Sequence, residues 1–145
     1  MDVLRTAKDS AAKAVNRLHP ALYRATGRRV GAHLGQAPVM LLTTVGRKSG
    51  KERTVPLIFL RQGDDAVIVA SYGGDDRSPA WYHNLVANPL VTVEMDGNKR
   101  ELRAVVADAA TKAKYWPELV AMYPGYEKYQ RRTKREIPVV VLTNR

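Results

Sequence analysis

The sequence predicts an α+β fold: a small β-barrel or strongly bent sheet of about six mostly antiparallel strands, with helices on its flank. Three observations predict it. Short runs rich in β-branched and large apolar residues recur along the chain, each bounded by turn residues. Two pairs of runs are joined by tight turn signals, Gly63-Asp64-Asp65 and Asp96-Gly97-Asn98. The helical stretches come late instead of alternating with strands, so the βαβ pattern of a doubly wound sheet is absent, as is a dinucleotide-binding glycine fingerprint.

Taken in order, Asp2 to Arg17 reads as an amphipathic helix, with Leu4, Ala7, Ala11, Val15 and Leu18 at helical spacing and Arg5, Lys8, Lys13 and Arg17 among them. Its stripe is mostly alanine, which suits a flap packed weakly on the barrel or a helix resting on an anionic membrane surface. Residues 21–35 are basic and poorly periodic, so 1–35 reads as helix plus linker and 36–145 as the β-rich domain. Val39 to Val45, Thr54 to Leu60 and Ala66 to Ser71 read as an antiparallel meander. Ser78 as N-cap and Pro79 at the first helical position open a helix that Asn88-Pro89 ends. Leu90 to Met95 and Lys99 to Val106 form a second hairpin. Thr111 to Met122 reads as a helix with Pro117 in an early turn, and Tyr126 and Tyr129 open another. Ile137 to Thr143 is the last strand, placed by Pro138 at a sheet edge or at its own start.

Composition narrows the chemistry. The chain of 145 residues is long enough for a core of its own, and it has no cysteine, which excludes disulfides, thiolate metal sites and thiol catalysis. His19, His33 and His83 are far apart without a carboxylate pattern, so no metal site is expected. Walker, G-x-S-x-G and paired-carboxylate patterns are missing, which leaves any demanding chemistry to a bound cofactor. The apolar runs are strand length and nothing resembles a signal peptide, so a cytoplasmic location is expected. Lys and Arg number 24 against 14 Asp and Glu, a formal +10 with a pI near 10.1. That balance favours anionic partners: nucleic acid, anionic lipid or an acidic cofactor.

Between the first two β-rich runs lies Gly46-Arg47-Lys48-Ser49-Gly50-Lys51-Glu52-Arg53. Its glycines allow close backbone approach, its cations supply charge, and Ser49 and Thr54 supply hydroxyl donors. The loop reads either as a grip for a phosphate or polycarboxylate, or as a solvated hairpin turn. Tyr123, Tyr126 and Tyr129 recur every three residues, which on a helix sets them toward one side, to pack on the barrel or to line a pocket for a flat ring. Tyrosine supplies 7 aromatic residues against 2 Trp and 1 Phe, a bias toward rings with a polar handle.

Together, Leu41-Leu42-Thr43-Thr44 with Gly46-Arg47-Lys48-Ser49-Gly50, Arg53 and Pro56-Leu57; Ala70-Ser71 with Gly73-Gly74; Pro79-Ala80-Trp81-Tyr82 with Asn84-Leu85 and Ala87-Asn88-Pro89; and Tyr115-Trp116-Pro117 with Met122-Tyr123-Pro124 and Tyr126 resemble the deazaflavin-dependent nitroreductase family. The match runs from about Pro38 to the C-terminus. The resemblance implies a split β-barrel and reduced coenzyme F420, an 8-hydroxy-5-deazaflavin with a phosphate and an oligoglutamate tail. It also implies a small-molecule electron acceptor, such as a quinone or nitroaromatic compound. By resemblance, Arg47, Lys48, Ser49, Gly50 and Arg53 bind the phosphate and tail, Val55 and Pro56 lie along the deazaflavin, and Gly73, Gly74, Pro79 and Trp81 complete the cofactor groove. Ser71, Tyr123, Tyr126 and Tyr129 match acceptor-pocket positions, with Tyr126 or Tyr129 as proton donor and Ser71 orienting the acceptor. Family members often carry lysine where Tyr72 stands, so Tyr72 alters one wall of the groove.

Other readings compete. Related split barrels bind flavin mononucleotide, haem or fatty acid. A nucleic-acid module has only the net charge in its favour, because Tyr and Trp are not interleaved with the basic loop. Nucleic acid is therefore not the expected partner, and peripheral contact of the N-terminal helix with anionic membrane stays open.

Overall fold

The structure, a computed structural model, describes His33–Leu34 and residues 37–144; the expected helix over 2–17 and its linker lie outside these residues. The strands are β1 (His33–Leu34), β2 (Ala37–Val45), β3 (Glu52–Ile58), β4 (Leu60–Gln62), β5 (Asp65–Val69), β6 (Leu90–Met95), β7 (Asn98–Val106) and β8 (Val139–Thr143). A single 3₁₀ turn spans Tyr72–Gly74, and the helices are α1 (Ala80–Ala87), α2 (Ala109–Met122) and α3 (Gly125–Arg132).

All pairings among the described strands are antiparallel, in the order β1-β2-β6-β7-β8-β5-β4, with β3 on β2. The expected meander is corrected here. The run Thr54 to Leu60 is two strands broken at Phe59: β3 pairs β2 with Ile58 opposite Val39, whereas β4 pairs β5 with Leu60 opposite Val67. A continuous apolar run hides such a break, because each half is buried in its own setting. The consequence shapes the molecule. The edge strands β3 and β4 are joined by Phe59 alone, which curls the sheet into a barrel closed at that corner and split elsewhere.

Alternation along the strands builds two cores. Met40, Leu42, Phe59, Ile68, Val93, Leu102, Val140 and Leu142 fill the barrel, joined by Trp81 and Leu85 of α1. On the other face Val67, Val69 and Val139 pack with Leu119 of α2 and Tyr126 of α3. β5 and β8 are thus buried on both faces, and truncating Leu142 or Leu119 to Ala costs about 2–5 kcal/mol. Pro138 precedes a central strand, not an edge: β8 lies between β7 and β5, and the proline sits just before its start.

Helix boundaries carry two further corrections. α1 begins at Ala80 with Pro79 in the capping position, and the Tyr82 amide donates to the Pro79 carbonyl at 3.1 Å. The Ser78 hydroxyl makes no cap bond and receives the Arg135 guanidinium at 3.4 Å instead. Pro117 lies past the middle of α2, which runs through it to Met122. Asp108 caps α2, accepting the Thr111 amide at 2.8 Å, and this bond holds its carboxyl below the ordinary range.

Candidate functional site

The split in the barrel is a pocket of about 300 Å³. β3 supplies Val55, Pro56, Leu57 and Ile58; β5 supplies Val69; Ser71, Tyr72 and Gly73 come from the turn that leaves β5. Pro79 and Trp81 enter at the start of α1, and Tyr123, Tyr126 and Tyr129 close the far side. An apolar strip therefore faces three phenol rings, a slot suited to flat conjugated molecules.

The tyrosines converge from the two expected helices: Tyr123 caps the end of α2, and Tyr126 and Tyr129 sit in α3. Ring centroids are 5.0 Å apart for Tyr123 and Tyr126, and the Tyr123 and Tyr129 hydroxyls meet at 3.1 Å. That bond, and then burial, push the Tyr123 phenol up. Tyr126 is 4% exposed, and its hydroxyl has no hydrogen-bond partner among the described residues. Burial, with the neighbouring phenols, pushes it well above the ordinary tyrosine value, so Tyr126 keeps its proton at any working pH. Ser71, also buried, lines the same pocket.

The glycine-cation loop stands at the other end of β3. Arg53 is three residues from Pro56, roughly 10 Å along an extended strand. The Gly46 amide donates to the Lys51 carbonyl at 2.7 Å and the Gly50 amide to the Gly46 carbonyl at 2.8 Å, a turn that Gly50 closes at φ 71°. The Ser49 hydroxyl accepts the Lys51 amide at 3.2 Å, and the Thr54 hydroxyl pairs with Thr43 at 2.8 Å, so both help build the hairpin. Arg47, Lys48, Lys51 and Arg53 are exposed, and none has an ion pair among the described residues. A concentration of unneutralised charge on a rigid turn is a ready anion site.

Arg47, Lys48, Ser49, Gly50 and Arg53 are thus grouped in this loop outside the pocket, while Val55, Pro56, Ser71, Tyr72, Gly73, Pro79 and Trp81 line the pocket. Gly74 does not line it. A Cβ there would stand 2.9 Å from the Tyr129 carbonyl oxygen, so this glycine serves the approach of α3 to the turn, and its φ of 81° also favours glycine.

One positioning residue had no role in the sequence reading beyond a motif. Asn84 of α1 is 4% exposed; its side chain donates to the Thr44 hydroxyl at 3.2 Å and accepts the Arg47 amide at 3.1 Å. It ties the helix that carries Trp81 to the loop that carries the cations. An amide on the Trp81–Leu85 face of a short helix was the available signal. Asn84→Ala leaves the buried Thr44 hydroxyl and the part-buried Arg47 amide without this partner and is expected to cost about 1–3 kcal/mol in denaturant unfolding.

A curled antiparallel barrel, split to expose a ring-lined slot with a basic loop beside it, defines the split-barrel class of proteins. Within that class the match is specific. Residues 15–144 fit the model of the F420H(2)-dependent quinone reductase family. A quinone reductase of Mycobacterium tuberculosis described as F420H(2)-dependent is 43% identical over the whole of both chains. The solved F420-H2 dependent reductase FDR-A is 39% identical with a TM-score of 0.68, covering 72% of this chain and 93% of its own. A structure described as a domain-swapped dimer is 35% identical with a TM-score of 0.70, covering 87% of this chain and 95% of its own. The chain belongs to the F420H(2)-dependent quinone reductase family, and it is an oxidoreductase whose cofactor is coenzyme F420.

Proposed function

We propose that the pocket holds the reacting rings of cofactor and quinone against β3, that the loop 46–53 grips the cofactor's anionic tail, and that Tyr126 hydrogen-bonds the quinone oxygen. The observation that carries this reading is the Tyr126 phenol: buried, lining the slot and unpartnered among the described residues. A buried hydroxyl without a partner costs about 1–3 kcal/mol, and a ligand oxygen supplies the missing bond.

The residues fit the cofactor. Arg47, Lys48, Lys51 and Arg53 suit a phosphate and glutamate tail, and Val55 and Pro56 offer an apolar bed for a planar ring. Reduced F420 supplies a hydride; the quinone needs that hydride and one proton to become a hydroquinone. Tyr126 donates a hydrogen bond to the oxygen on which negative charge grows, the proton that completes the hydroquinone comes from bulk water after hydride transfer, and the hydrogen-bonded Tyr123–Tyr129 pair lines the same slot. Ser71 offers a second donor at the turn. Val55, Leu57, Ile58 and Val69 keep the slot apolar and exclude water from the reacting atoms.

The test is direct: quinone added to the protein with reduced F420 should restore the absorbance of the oxidised cofactor, and Ser71→Ala should raise the quinone KM more than the F420 dissociation constant. No restoration would sink the proposal. The helical spacing read over residues 2–17 adds peripheral contact with anionic membrane, where lipid quinones reside. Deleting residues 1–17 should abolish binding to vesicles containing anionic lipid; undiminished binding would remove this contact. Among the described residues no helix is long and apolar enough to cross a membrane.

A further inference from the structure

We infer that Arg135 is a positioning residue whose guanidinium locks the Ser71–Gly73 wall of the pocket to helix α3, holding turn and tyrosines at a fixed separation. The inference rests on the proposed placement of cofactor and quinone in this pocket.

The chain leaves the sheet at Ala70, whose amide makes a last ladder-like bond to the Pro138 carbonyl at 2.9 Å. The next residues are conformationally costly. Tyr72 has φ 45°, followed by Gly73 at 64° and Gly74 at 81°, and a non-glycine residue in the left-handed region costs about 1 kcal/mol or more. Such a turn persists only if its surroundings hold it. Arg135 does so from one point: Nη2 donates to the carbonyls of Ala70 at 3.1 Å and Ser71 at 2.9 Å, Nε to the carbonyl of Asp75 at 2.8 Å, and Nη1 to the Ser78 hydroxyl at 3.4 Å. A planar fork of fixed donors spans these acceptors at once, which a lysine ammonium on a flexible stem does not.

The other end of the clamp is equally fixed. Gln130 of α3 donates to the Arg135 carbonyl at 2.8 Å and accepts the Ile137 amide at 3.0 Å, so the Arg135 backbone is held by the helix that carries Tyr126 and Tyr129. Thr133 donates to the Asp76 carboxylate at 2.8 Å, and the missing side chain of Gly74 lets the turn meet the Tyr129 backbone. Arg135 does not line the pocket. It acts through the Ser71 carbonyl and through the neighbours of Tyr129, where a small displacement changes the gap between donor and acceptor.

The experiment uses the full chain with Arg135→Lys, Arg135→Met and Thr133→Val, the last a milder cut of the same junction. Three quantities are read: amide hydrogen exchange, the F420 dissociation constant by fluorescence, and the single-turnover rate with menadione at saturation. Exchange over residues 71–76 is expected to accelerate roughly tenfold in Arg135→Met while β5 and β8 stay protected. Its single-turnover rate falls about tenfold or more, Arg135→Lys recovers part of it, and Thr133→Val shifts the same quantities less. Exchange and single-turnover rates within about twofold of wild type in the folded variants would overturn the inference. Ser71→Leu, which puts a bulky side chain on the wall itself at an ordinary right-handed backbone conformation, φ −76°, separates the two levels. If it leaves binding and turnover unchanged, the pocket assignment and the inference fall together. If it blocks them while the Arg135 variants match wild type, only the role of Arg135 falls.

Discussion

In Tyr126→Phe, quinone turnover is expected to fall about a hundredfold while the F420 dissociation constant stays within about twofold, because in the proposed role the lost group acts on the acceptor oxygen as charge develops. Stability separates this role from packing. Most destabilising substitutions of a buried ring remove contacts, but this one removes only a hydroxyl that lacks a partner among the described residues, so the melting temperature should hold or rise. The phenol also carries a pH signature. Its folded value is raised, so the native state keeps a proton that the unfolded chain releases above about pH 10. Stability from this group is therefore present below that pH and is lost as the pH climbs toward the folded value. Tyr126→Phe should flatten this alkaline decline, and an unchanged decline would mean that other groups cause it.

Lys48→Glu is expected to raise the F420 dissociation constant about tenfold or more at low ionic strength, with little change in single-turnover rate once the cofactor is saturating. Lys48 is exposed and has no ion pair among the described residues, so the variant breaks no internal bond. The effect should shrink with added salt, since the Debye length falls from about 30 Å at 0.01 M to about 8 Å at physiological ionic strength. A dissociation constant that ignores this reversal would move the tail away from the loop.

What was legible in the chain follows local chemistry. Asp96-Gly97-Asn98 and the Gly46–Glu52 loop announce their hairpins because the turn itself demands those residues. The break at Phe59 was not legible: the residues on either side are apolar whether they pair with one strand or two. Nor was the central place of β8, which depends on strands distant in the chain. Within the site, the pocket tyrosines stood out by spacing, and the helix ending at Met122 with another opened by Tyr126 and Tyr129 was legible too; the meeting of their rings and hydroxyls was not. Asn84 bonds partners 37 and 40 residues away, and Arg135 reaches 65 residues back to Ala70. In sequence Arg135 belongs to an ordinary basic run; only the fold separates it from Arg131 and Lys134, which stay exposed.

The central claim is that one site grips F420 by its charged tail and presents its ring in the slot. Fluorescence titration of the wild-type protein with F420 at low and high salt, with flavin mononucleotide in parallel, tests it most directly. Saturable F420 binding that weakens with salt, and no comparable flavin binding, is the predicted result. Binding of F420 that is indifferent to salt, or preference for flavin mononucleotide, would contradict it.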